Sequence, residues 1–245
     1  MKRTSNSETN LVSIERAKKD IFQYMKRRTQ LETWLKKMED FGFPIELGWL
    51  ENTIFHELPP DLSAKWPRDL ASTIRPKANF SNVLPQFMIW LLEDPVHGVI
   101  QYVETEAQEQ ILHEVVSLVR KRSINQDDWQ SAYDNAIQAA TWIHKKTRKV
   151  AEEELGKTEY ADTRIAGAAA KCALDVSWYS ADAGRQLAWA ALDINPIEAM
   201  RAAGKSAAMA SLEAARAACT TLENIPNPSA FVTQSEKLLE LMQGV

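Results

Sequence analysis

The sequence predicts an all-α protein, a multi-helix bundle or helical array with a central alanine-rich helix. Two observations carry this expectation. Roughly a third of residues 161–218 are alanine, several times ordinary usage, and alanine is the best helix former because its methyl group loses no rotamer entropy. The chain also holds only 8 glycines in 245 residues and few alternating β-branched runs, so little in it is patterned for a sheet. A length of 245 residues accommodates one large domain or two smaller ones. The turn Ser123-Ile124-Asn125 is the clearest boundary, dividing an N-terminal helical region, 1–122, from an alanine-rich region, 123–245, with one continuous domain as the alternative.

Taken in order, residues 1–9 are polar and read as frayed. A long helix is expected to about Glu39, with Ala17, Ile21, Tyr24, Leu31, Leu35 and Met38 as its apolar stripe and Gly42 as its C-cap. Pro44, Pro59, Pro60, Pro67 and Pro76 break the next section, in which short helices such as 46–58 are joined by turns. The apolar segment 80–93 reads as a buried helix, too short to cross a membrane. Pro95 is expected to restart a helix holding Val99, Ile100 and Val103. Residues 106–121 are amphipathic, with Ile111, Leu112, Val115, Val116 and Val119 inward. A long helix over 127–155 turns Trp129, Ala132, Ala136, Ala140, Ile143 and Thr147 inward. After Pro226-Asn227-Pro228, a last short helix capped by Ser229 contains Phe231, Leu238, Leu239 and Leu241.

The best-marked helix starts at Asn195-Pro196, an N-cap followed by proline at the first helical position. Winding at about 100° per residue places Ile197, Met200, Gly204, Ala208, Ser211, Ala215, Cys219 and Leu222 on one face. Ala203, Ala207, Ala210, Ala214 and Ala217 fall on a second, and Glu198, Arg201, Lys205, Glu213 and Arg216 on the rest. Small residues on two faces admit neighbouring backbones at the short end of the usual ~8–10 Å spacing. This helix is therefore expected to be central. Its predecessor carries Ile165, Ala168, Ala169, Cys172 and Val176, then Leu187, Ala188, Ala191 and Leu192, at helical spacing; the pattern leaves open whether 179–184 interrupts it.

Composition is that of an ordinary globular protein, 45% hydrophobic and 25% charged, with a net charge of −4. Cys172 and Cys219 read as reduced core residues. No leader, lipidation signal or long apolar run appears, and a cytoplasmic location away from membranes is expected. The four histidines, His56, His97, His113 and His144, are scattered without metal-ligand spacing; Glu109 and His113 lack partners, and His144 reads as a core histidine. Asp127-Asp128 and Glu93-Asp94 read as helix-terminal acids rather than cation ligands. No phosphate loop, nucleophile elbow or dinucleotide fingerprint is present. No catalytic residue, metal or cofactor is therefore assigned. An enzyme would require residues converging from distant helices.

Binding is the function class left. Trp142 falls outside the inward stripe of its helix, in a sector with Asn135, Gln138, Lys145 and Lys149, and exposed tryptophan is a common interface anchor. Trp178 is placed similarly if its helix continues past Ser177. A protein partner or a second copy of the chain fits such anchors. The alternative rests on the N-terminal helix, where Lys18, Lys19, Lys26, Arg27 and Arg28 could hold nucleic acid phosphate. Finally, the segments 165–171, 202–208 and 212–218 (Ile-Ala-Gly-Ala-Ala-Ala-Lys, Ala-Ala-Gly-Lys-Ser-Ala-Ala and Leu-Glu-Ala-Ala-Arg-Ala-Ala) give the region 127–218 a distinctive texture. It resembles the alanine-rich helical immunity proteins of bacterial polymorphic toxin systems. That resemblance covers roughly the C-terminal half of the chain. It implies a cytoplasmic binder that blocks a toxin by occluding its surface, without catalysis of its own.

Overall fold

The computed structural model describes residues 43–73, 78–153, 160–219, 221, 223 and 225–245. The basic N-terminal helix expected from the sequence lies outside the described residues. Among those described there are eight α-helices and no strand. They are α1 (Ile45–Glu57), α2 (Pro60–Thr73), α3 (Val83–Glu93), α4 (Glu106–Lys121), α5 (Gln126–Glu153), α6 (Tyr160–Ala191), α7 (Pro196–Ala217) and α8 (Pro228–Gln243). Short 3-10 turns at Phe80–Asn82 and Val99–Tyr102 complete the set.

The long helices α5, α6 and α7 are antiparallel neighbours. Gly184 of α6 meets Trp129 of α5, and Gly167 meets Thr147, so the two sequences run in opposite directions past each other. The same logic places Asp182 beside Ser206 and Asp175 beside Glu213 across α6 and α7. No break falls at 179–184: α6 is one helix of 32 residues. Gly184 is tolerated mid-helix because a methyl group there would sit 2.3 Å from the Trp129 ring. The side chain of α5 has taken that space.

The alanine-rich α7 is central, as its two small-residue faces predict. It packs against α6 on one side and α1 on the other. At the α1 crossing, a Cβ on Gly204 would lie 2.6 Å from the Glu46 carbonyl oxygen. The predicted face is shorter than expected: the helix stops at Ala217, so Cys219 lies beyond it, and Leu222 lies outside the described residues. Ile197 is exposed at the helix start, whereas Glu213, assigned by periodicity to the charged sector, is buried. Asn195 precedes the helix, but in the left-handed region with φ 47°, and its side chain makes no capping bond. Ser211 and Gln234 exchange side-chain and backbone hydrogen bonds, with Gln234 Nε2 donating to the Ser211 carbonyl at 3.1 Å, and so join α7 to α8.

The start of α4 is fixed by a capping box. Thr105 Oγ1 accepts from the Gln108 amide at 3.3 Å, while Gln108 Oε1 accepts from the Thr105 amide at 3.2 Å. Pro95 does not restart a helix. Asp94 Oδ1 accepts from the amides of Val96 and His97 at 3.0 and 2.8 Å, which closes a turn instead, and only the 3-10 turn at Val99–Tyr102 follows. At the C-terminal helix, Asn227 rather than Ser229 supplies the cap, accepting from the Ser229 amide at 3.0 Å. Pro67 sits inside α2, which the proline count alone had broken into shorter pieces.

One cluster of buried apolar side chains runs from Phe43 to Met242 and includes Trp66, Phe87, Trp129 and Phe231. Cys172 is buried in it, Cys219 lies half-buried outside it, and no disulfide joins them. Glu51 is fully buried and accepts a 2.6 Å bond from Trp66 Nε1.

Candidate functional site

The buried faces of Ala140 and Ile143 fix the rotation of α5, and that rotation turns Trp142 outward, 56% exposed. Asn135, Gln138, Lys145 and Lys149 share the exposed side, as their spacing predicts. The Lys146 ammonium lies 5.3 Å from the Trp142 ring centroid, close enough for a cation–π contact that partly orders the ring. Lys145, Lys146 and Lys149, three, four and seven residues beyond Trp142, are exposed on its side of the helix, Lys149 lying 3.9 Å from Glu153, while His144 and Arg148 are exposed on other sides. His144 is thus a surface residue and not the core histidine expected. It follows the buried Ile143 by one position, and one residue turns a helix by about 100°.

Trp178 is placed differently. It is half-buried, donates from Nε1 to Asp175 Oδ1 at 3.2 Å, stacks on Tyr179 at 3.7 Å and meets the Tyr133 ring edge-on at 5.5 Å. In the α5–α6 register, Trp142 is level with Cys172, so Trp178 lies about 10 Å further along α6.

Trp178 belongs instead to a polar and aromatic stripe that sequence reading missed. Lys171, Asp175, Trp178, Asp182, Arg185 and Trp189 recur along α6 at alternating four- and three-residue spacing, which is one helical face. Arg185 donates to Asp182 Oδ1 and Gln130 Oε1, both at 2.5 Å, and its guanidinium lies 5.2 Å from the Tyr133 ring centroid and 5.4 Å from that of Trp189. Asp182 Oδ2 also accepts from Ser206 at 2.5 Å. Lys171 pairs with Asp175, and Arg216 with Glu213. Burial pulls the Lys171 pKa down, but the hydrogen bond and charge of Asp175, with Cys172 and Glu213 behind it, outweigh that and hold it above the ordinary lysine value. Burial raises the Tyr179 phenol, and the charges of Glu213 and Asp175 raise it further. The spacing was visible, but its meaning depends on Gln130, Tyr133, Ser206 and Glu213, which are remote in sequence.

Donor atoms of Cys172, Asp175 and Glu213 lie within 4.8 Å of one another, a set chemically able to ligate a metal. Both carboxylates already carry a cation, Lys171 on one and Arg216 on the other. A metal would have to displace these partners and deprotonate the thiol, so the cluster reads as two structural ion pairs, one within α6 and one within α7, set side by side. Other polar candidates are likewise occupied. Glu93 pairs with Arg120, Asp94 closes its turn, and His113 lies 3.9 Å from Glu109. Lys18, Lys19, Lys26, Arg27 and Arg28 lie outside the described residues.

No family model, curated protein or solved structure matches the chain. Among the described residues, no helix is long and apolar enough to cross a membrane. What the structure offers is an exposed tryptophan flanked by lysines on α5 and, along α6, a charge network in which Arg185 Nε is buried without a hydrogen-bond partner among the described residues.

Proposed function

We propose that this protein is a non-enzymatic, cofactor-free binding module of the cytoplasm, an immunity-type inhibitor that occludes the surface of an acidic partner protein through Trp142. The observation that carries this reading is the combination on one side of α5 of an exposed tryptophan and three lysines, Lys145, Lys146 and Lys149, on a helix whose opposite face is locked in the core. Tryptophan buries a large rigid surface at little entropic cost, and the lysines would steer an acidic surface toward it.

The test is purification of the tagged protein from its native host, with and without nuclease. The binding-module reading expects a stoichiometric protein that survives nuclease and is lost with Trp142→Ala. Copurifying nucleic acid, with partners lost on nuclease treatment, would instead favour the alternative that rests on Lys18, Lys19, Lys26, Arg27 and Arg28. Self-association abolished by Trp142→Ala would make the partner a second copy.

A further inference from the structure

A cleft of about 260 Å³ lies between the end of α4, the start of α5 and the last turns of α6. Its floor is apolar, built from Met88, Val119, Trp129, Leu187 and Ala188. Among the described residues only one charged residue lines it, Arg122. The guanidinium donates through one NH2 to Asn82, which aims it while leaving further donors for a ligand. Among the described residues no carboxylate pairs with it, and the neighbouring acids Asp127 and Asp128 are exposed and do not line the cleft. Arg122 also occupies the left-handed cap of α4, φ 48° and ψ 49°, a position that favours glycine. The arginine thus stands where backbone geometry alone would choose another residue.

We propose that this cleft binds a small amphipathic monocarboxylate, with its apolar tail on Trp129 and Leu187 and its carboxylate on Arg122. The volume is ample for such a tail, given that a dry cavity of about 150 Å³ holds benzene. The headgroup follows from the rim. A guanidinium takes a carboxylate through two parallel charge-assisted hydrogen bonds, and among the described residues no anion lines the cleft to repel it. This site is independent of the Trp142 surface.

Octanoate is the probe and octanol its uncharged control, titrated calorimetrically into the full chain. Octanoate should bind saturably at one site and more tightly than octanol. Arg122→Gln should weaken octanoate by about tenfold and leave octanol unchanged. Ala191→Trp, at the exposed rim, should block both ligands with helical circular dichroism intact. The proposal is overturned if octanoate does not saturate, or if Arg122→Gln weakens both ligands equally or neither. Should Ala191→Trp lose helicity, methyl resonances of the wild-type chain decide the matter. Octanoate shifts confined to Met88, Val119, Leu187 and Ala188 support the site, and shifts centred elsewhere overturn it.

Discussion

Single side chains decide how closely this protein can pack. Gly204 is the sharpest case, since any Cβ there strikes the Glu46 backbone. Gly204→Ala should therefore lose about 1–3 kcal/mol despite alanine's better helix propensity, read as a lower urea midpoint with unchanged slope. A neutral result would mean that α1 can retreat from α7 without loss. Glu46 gives a second test. Burial raises its pKa above the ordinary 4.5, and its Oε2 has no partner among the described residues. The folded state therefore favours the protonated acid. Its contribution is fully present below the unfolded pKa near 4.5 and is lost as pH rises through the higher folded value. Glu46→Gln should flatten that part of the pH–stability profile and raise the melting temperature at pH 7. A profile that keeps its slope in this window would assign it to another group.

At the scale of elements, the account rests on α6 and its network. Asp182 serves Arg185 and Ser206 together, and the Asp182–Arg185 pair is only about a fifth exposed. Asp182→Ala should cost about 1–3 kcal/mol by urea unfolding, because it leaves a guanidinium without its carboxylate. A loss below about 0.5 kcal/mol would show that the stripe is decorative. Helix existence was readable from apolar periodicity: α1, α3, α4, α5 and α7 fall close to their expected spans. Connections were less so. Proline at position 95 signals a helix start, but the Asp94 carboxylate captured two amides first. Continuity of α6 through Gly184 depends on Trp129, 55 residues earlier, and no local pattern carries that.

For the whole molecule, α5, α6 and α7 pack as an antiparallel trio, and the outer face of α5 carries Trp142, exposed as the sequence predicts. Trp142 was legible because its own helix stripe excluded it. Trp178 was likewise placed off its stripe on condition that its helix runs past Ser177, which it does, but its edge-on contact with Tyr133 was not legible because that ring arrives only when α5 packs on α6. An exposed side chain with few contacts contributes little to folding, so Trp142→Ala should leave stability within about 0.5 kcal/mol of wild type. Its loss from a hot spot should nonetheless weaken partner binding by about thirtyfold or more, equivalent to about 2 kcal/mol. That separation of stability from binding makes one comparison decisive. Tagged wild type and Trp142→Ala, purified in parallel from the native host after nuclease treatment, should differ by one stoichiometric protein carried by wild type alone. The same partners on both, or none on either once nucleic acid is digested, would contradict the claim that this surface is a protein-docking site.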